Sequence, residues 1–340
     1  MPLAVKNLKI CVIGCGDIVK SRHGPAYQRY KSENPDVEFL ACCDIDEARA
    51  NEIKNTFGFG SAYTSIDKML TQQKLDAVCL IIPVTLAAAE ALKILELGIP
   101  LLMEKPPGVI KEETQRLIKA ADKNNVSHLI AFNRRYAPLI RKLKQLLDNE
   151  YSNLKIQSIQ YDMFRVNRNN EDFSTTAIHA IDAAKFIAAS DYQKINFTYR
   201  DYPEHGNNVF DVFMECKMKN ETIININICP ITGMNMERIT VNLFNHTFFL
   251  DYLSNDLNPF GRLILMQKNK IILDITCNDT LEGKEEFERE GFYYENKHFF
   301  DCIKNGIKPS GDFRSALQSV EISEFIRNKK EEYILQEDIL

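Results

Sequence analysis

From residue 8 to about residue 132 the chain alternates short, continuously apolar runs with longer segments whose apolar residues recur at helical spacing. The runs are Leu8 to Ile13, Glu38 to Cys43, Ala77 to Ile82, Leu101 to Met103 and Ser127 to Ala131. Strands without alternation are buried on both faces, as in a parallel sheet wrapped by helices. Ala87 to Leu97 reads as one crossover helix, and Gly98 ends it, because glycine readily takes the left-handed turn that closes a helix. The pattern predicts an α/β, doubly wound parallel sheet.

Beyond Phe132 the period changes to two. Ile224, Ile226 and Ile228 interleave with Asn225 and Asn227, which gives a strand one apolar and one polar face. Ile156 to Phe164, Val212 to Met218, Ile239 to Phe244 with Thr247 to Leu250, and Leu263 to Met266 with Ile271 to Ile275 are further strands, joined by hairpin turns at Asn245-His246 and Lys268-Asn269-Lys270. Phe313, Ala316, Leu317 and Val320 mark a C-terminal amphipathic helix. The expectation is an α/β domain over 1–132, followed over 133–340 by an α+β domain with a large open, mainly antiparallel sheet.

A length of 340 residues suits two such domains, and 45% hydrophobic with 26% charged residues is an ordinary globular balance. The net charge of -5 comes from intermixed signs, which gives no reason to expect a nucleic acid or an anionic membrane as partner. Nine cysteines without CxxC pairs or histidines at zinc spacing read as buried apolar residues of a reducing compartment, with no metal site. Met1 to Lys9 lacks a signal peptide's apolar stretch, and no run reaches the roughly 18 apolar residues of a membrane span. A cytoplasmic location is expected, which makes sequons such as Asn196-Phe197-Thr198 accidental.

The first run leads into Gly14-Cys15-Gly16-Asp17-Ile18-Val19. Two glycines between a strand and a helix allow a tight turn and close approach of the backbone to a pyrophosphate, while the helix N-terminus faces its charge. Val19 stands where a third glycine would complete the fingerprint, so a merely tight turn is the competing reading. Asp44, ending the second strand, can accept bonds from ribose hydroxyls and repels a 2′-phosphate, which favours NAD, while nearby Arg49 keeps NADP open. Asp44 can also serve as a helix cap ahead of Glu47 to Ile53, and Asp17 reads as a cap and not a ligand.

The most specific motif is Glu104-Lys105-Pro106-Pro107-Gly108, which places a lysine at a strand's C-terminal end, the ligand-binding edge of open α/β sheets. With the GCGDI start, Ile82-Pro83 and Phe132-Asn133-Arg134-Arg135-Tyr136, the chain resembles the glucose-fructose oxidoreductase/inositol dehydrogenase/MocA (Gfo/Idh/MocA) family over essentially its whole length. The resemblance implies a Rossmann domain and a substrate domain, with Gly14, Gly16, Ile18, Asp44, Pro83, Glu104 and Lys105 at the cofactor. It also implies that Lys105 touches both substrate and nicotinamide.

A second family signature covers Asp172 to Asp182, read as the start of a helix on which His179 and Asp182 share a face. His179 matches the family's active-site histidine and becomes the candidate general base. Many relatives carry an aspartate where this chain has Thr175. Threonine cannot ionise, so the proton work shifts to His179, with Asp182 or Asp172 as helpers and a helix-face salt bridge as the alternative role of Asp182. Ala87 likewise stands where many relatives have a histidine. Tyr136, Arg165, Thr175 and Asp182 are the candidate substrate contacts. Arg165 and Arg168 can fork onto a carboxylate or phosphate, or lie solvated at the surface. Asn133 and Arg134 line the cleft or staple the domains together.

The expected activity is hydride transfer between NAD, with NADP open, and a secondary alcohol of a sugar, polyol or sugar derivative. An NAD-assisted sugar hydrolase or lyase without net redox, or a non-catalytic NAD- or sugar-binding regulator, is the alternative. The open face of the second sheet suggests a homo-oligomer.

Overall fold

The computed structural model describes residues 7–169, 172, 174–253, 255–280 and 282–336. Six strands, β1 (Lys9–Ile13), β2 (Glu38–Cys43), β3 (Ser61–Tyr63), β4 (Ala77–Leu80), β5 (Leu101–Glu104) and β6 (His128–Ala131), form a wholly parallel sheet. Their order is β3-β2-β1-β4-β5-β6, the doubly wound arrangement in which the winding reverses beside β1. Ile10, Cys11 and Val12 have no solvent exposure, as a central strand covered on both sides requires. Each predicted strand is present. β3 went unpredicted because it is three half-buried residues at the sheet's edge, too short to leave an apolar run.

The second sheet has nine strands: β7 (Ile156–Phe164), β8 (Tyr192–Asp201), β9 (Phe210–Met218), β10 (Ile223–Cys229), β11 (Met236–Leu243), β12 (His246–Asp251), β13 (Arg262–Gln267), β14 (Lys270–Ile275) and β15 (Glu332–Ile334). Their order is β14-β13-β12-β11-β7-β10-β9-β8-β15. Every pairing is antiparallel except β7 with β10. Asn245, Lys268 and Asn269 adopt positive φ, as tight hairpins demand, at the two expected turns.

The expected alternation decides the faces of this sheet. Ile159, Tyr161, Ile224, Ile226, Ile239 and Val241 are buried on one face, on which the helices Pro138–Gln145 and Ser174–Ala188 pack. The opposite face carries Gln160, Asn225, Asn227 and Thr240, with Asn227 donating to Asp162 at 2.7 Å.

The chain divides into two compact units, one running to Asn133 and including Glu285–Val320, the other formed by Arg134–Lys284 with the residues from Glu321 onward. Of the expected second domain over 133–340, the stretch Glu285–Val320 thus groups with the first unit. Helix Phe292–Lys304 packs on helix Gly24–Glu33, and Phe300 meets the rings of Tyr30 and Tyr27 at 5.1 and 5.9 Å. Burying these aromatic surfaces returns the segment to the first unit.

Candidate active site

In the parallel-sheet unit, Gly14, Asp44, Pro83 and Lys105 each follow closely on the C-terminal end of a strand, respectively β1, β2, β4 and β5. Parallel strands end on one side of a sheet, so these residues share one edge. Gly14 has φ +96°, and a Cβ there would lie 1.9 Å from the carbonyl oxygen of Ile81. No other residue type fits. A Cβ at Gly16 would meet nothing within 4 Å, so the backbone is open to close approach of a phosphate. Val19 is fully buried and starts the wide helical turn Val19–His23, while Ile18 is 39% exposed at the rim.

Asp44 accepts from the backbone N–H of Cys15 at 2.8 Å and of Asp46 at 2.9 Å, with Arg49 3.3 Å away. One carboxylate thus ties the glycine loop to β2. It is not the helix cap: Asp46 accepts from the N–H groups of Ala48 and Arg49 and caps Glu47–Phe57. Pro83 precedes the helix Val84–Glu96.

At the end of β5, Lys105 is half-buried, and the Lys105-Pro106 bond is cis. Glu104 accepts from the Lys105 backbone N–H at 3.0 Å and bonds His23 Nε2 at 3.1 Å. Burial pushes the Glu104 carboxyl up. The His23 hydrogen bond, with the Lys105 charge and backbone N–H, outweighs it and holds the group below its ordinary value. The Glu104 carboxylate, expected at the cofactor, thus fixes the turn of Lys105.

In the antiparallel-sheet unit, helix Ser174–Ala188 carries His179, 6% exposed. Asp172 accepts from the N–H of Ser174 at 3.1 Å and from Arg327 Nε at 3.0 Å. The Thr175 hydroxyl donates to the Asp172 carbonyl at 2.9 Å. Asp182, 1% exposed, receives Arg135 on both oxygens, at 2.7 and 2.5 Å. Of the two expected helpers in proton transfer, Asp182 holds the half-buried Arg135 and Asp172 holds Arg327 and the first N–H of the helix. Tyr136 lies half-buried in the turn Asn133–Tyr136, and Asn133 donates to the Glu290 carbonyl at 2.9 Å within the first unit.

Residues 8–132 match the family model described as "Oxidoreductase family, NAD-binding Rossmann fold", GFO_IDH_MocA. Residues 8–132 belong to the Gfo/Idh/MocA oxidoreductase family. Oxidoreductase P35 of Formosa agariphila is 28% identical over 138 residues, 41% of this chain and 42% of the relative. D-glucoside 3-dehydrogenase of Escherichia coli is 25% identical over 142 residues, 42% and 39% of the two chains. These matched stretches span about two-fifths of the curated relatives. The crystal structure of an NAD binding oxidoreductase from Klebsiella pneumoniae superposes with a TM-score of 0.83 at 17% identity, covering 98% of this chain and 100% of that one. That likeness is one of fold.

Two buried polar residues escaped the sequence reading. Glu237, buried on β11, binds Arg134 at 2.7 Å, the Tyr161 hydroxyl at 2.7 Å and Arg165. Arg165, half-buried, also donates to the carbonyls of Phe164 and Met236, so the guanidinium expected to fork onto a substrate anion is engaged with protein groups here. The signal was there, since a glutamate on the apolar phase of an alternating strand is a buried charge in need of partners. His23, fully buried, left no such mark, because its partners are distant in sequence.

Proposed function

We propose that the chain is an NAD(P)-dependent oxidoreductase that interconverts a secondary alcohol of a sugar, polyol or sugar derivative with its ketone. The observation that carries this is Lys105, fixed through Glu104 at the sheet edge that also bears Gly14, Gly16 and Asp44. The nicotinamide, when bound, supplies the hydride acceptor or donor. Gly14, Gly16, Ile18 and Pro83 would hold the dinucleotide, with Asp44 at the adenosine ribose favouring NAD. Arg49 beside Asp44 makes NADP the second cofactor to test. Lys105 orients the alcohol and stabilises negative charge developing on its oxygen, and His179 takes the hydroxyl proton. Thr175 and Tyr136 complete the substrate contacts in this reading.

Arg168 favours a substrate with an anionic group. Arg168 is exposed; partial desolvation of its guanidinium, then the neighbouring Arg165 charge, lowers it from the ordinary value, and its one side-chain bond among the described residues is to the Thr176 hydroxyl at 3.5 Å. Nine buried, unbridged cysteines suit a reducing compartment such as the cytoplasm.

The test is fluorescence titration with NADH and NADPH, followed by a screen of sugars, polyols and their acids for absorbance change at the nicotinamide band. Lys105→Ala is expected to abolish turnover while keeping NADH binding, and Arg168→Ala to raise KM for acids more than for neutral sugars. Cofactor binding with no alcohol oxidised would instead favour the non-redox hydrolase or lyase, or the regulator.

A further inference from the structure

We infer that His23 and Asn296 are positioning residues for Lys105, acting through Glu104. The inference rests on the reading of Lys105 as the residue that meets the reacting oxygen.

His23 and Asn296 have no solvent exposure. The Asn296 side-chain nitrogen donates to the Phe292 carbonyl at 2.7 Å and lies 3.0 Å from His23 Nδ1. A carbonyl can only accept, so the amide group facing it is the nitrogen, and Nδ1 in turn is an acceptor. The ring proton is thereby placed on Nε2, which donates to Glu104 at 3.1 Å. The second Glu104 oxygen takes the Lys105 backbone N–H at 3.0 Å. The bonds run in one sense, from Asn296 to His23 to Glu104, and the carboxylate then holds the backbone of the lysine turn.

The three groups come from separate stretches of chain: His23 from the turn after the glycine loop, Glu104 from β5, and Asn296 from helix Phe292–Lys304. The edge of the His23 ring packs on Phe292 at 5.1 Å, which fixes its plane. Without the Nε2 donor, burial would dominate at Glu104, and its proton would return at higher pH. A protonated Glu104 offers the turn a weaker acceptor and removes the anion beside the lysine. The lysine would keep its place in the sequence and lose its aim.

The test uses full-length protein with the alcohol found in the screen above. In His23→Leu, kcat is expected to fall roughly 10- to 100-fold, the scale of a small misplacement of a catalytic group, with KM and NADH affinity within about twofold and the acid limb of the kcat profile moved to higher pH. His23→Gln, whose amide can still donate to Glu104, should recover most of the loss. Should His23→Leu fail to fold, Glu104→Gln carries the test, because it keeps the shape, removes the charge and should lower kcat equally. An inactive Lys105→Met beside wild-type kcat and pH profile in His23→Leu, or in Glu104→Gln, overturns the inference. Active Lys105→Met, or no alcohol oxidised by the unaltered protein, overturns the reading beneath it and the inference with it.

Discussion

Glu237 faces inward among Ile239 and Val241, and only its partners make that tenable. Burial raises its carboxyl, but Arg134, Arg165 and the Tyr161 hydroxyl more than offset this and bring it to about 2 from 4.5. A group depressed on folding adds stability that is complete above its unfolded value and lost as pH falls through its folded value. The window here lies between pH 4.5 and about 2. A shift of this size corresponds to about 3 kcal/mol. Glu237→Gln should therefore lower the urea-unfolding free energy at pH 7 by about 3 kcal/mol and flatten its decline in acid. An unaltered acid profile would show that the pair contributes nothing. At the same scale, Arg165 illustrates the limit of composition: an arginine's chemistry suits a substrate anion and a buried glutamate equally, and only the fold shows its bond to Glu237.

At the scale of the element, the strand-to-helix loop separates two uses of glycine. Gly14 is required by the protein itself, since a methyl group there would drive into the Ile81 carbonyl and φ is +96°. Gly16 meets nothing, so the protein itself does not require a glycine there. Gly14→Ala should destabilise the fold by more than the roughly 1 kcal/mol of an ordinary glycine exchange. Gly16→Ala should keep the melting temperature while weakening NADH binding at least several-fold. Equal NADH affinity in Gly16→Ala would disprove the pyrophosphate assignment. Periodicity identified β1, β2, β4, β5 and β6 because continuous apolar runs have one cause, burial on both faces. It missed β8, where the register shifts between Tyr192 and Lys194 and interrupts the alternation.

For the whole molecule, the nine-stranded sheet leaves a face whose apolar content gathers near β12 to β14. Phe249 and Ile271 are 38% and 57% exposed, with Ile264 and Met266 half-buried between. If this face is the self-association surface, Phe249→Asp combined with Ile264→Asp should shift sedimentation toward the monomer and leave NADH affinity unchanged. An unchanged oligomer would place the interface elsewhere.

Much of the protein was written along the chain: the parallel sheet, the period change near Phe132, the glycine loop, Asp44 and the Lys105 motif. These are legible because periodicity and short motifs are local, one stretch of backbone carrying its own cause. Tertiary structure alone decided how the acids are paired. Asp182 went to Arg135, Asp172 to Arg327, Glu237 to Arg134 and Arg165, and Glu104 to His23. Each pairing joins residues dozens of positions or more apart, and the cost of burying a charge, which selects its partner, arises only when the chain closes around it.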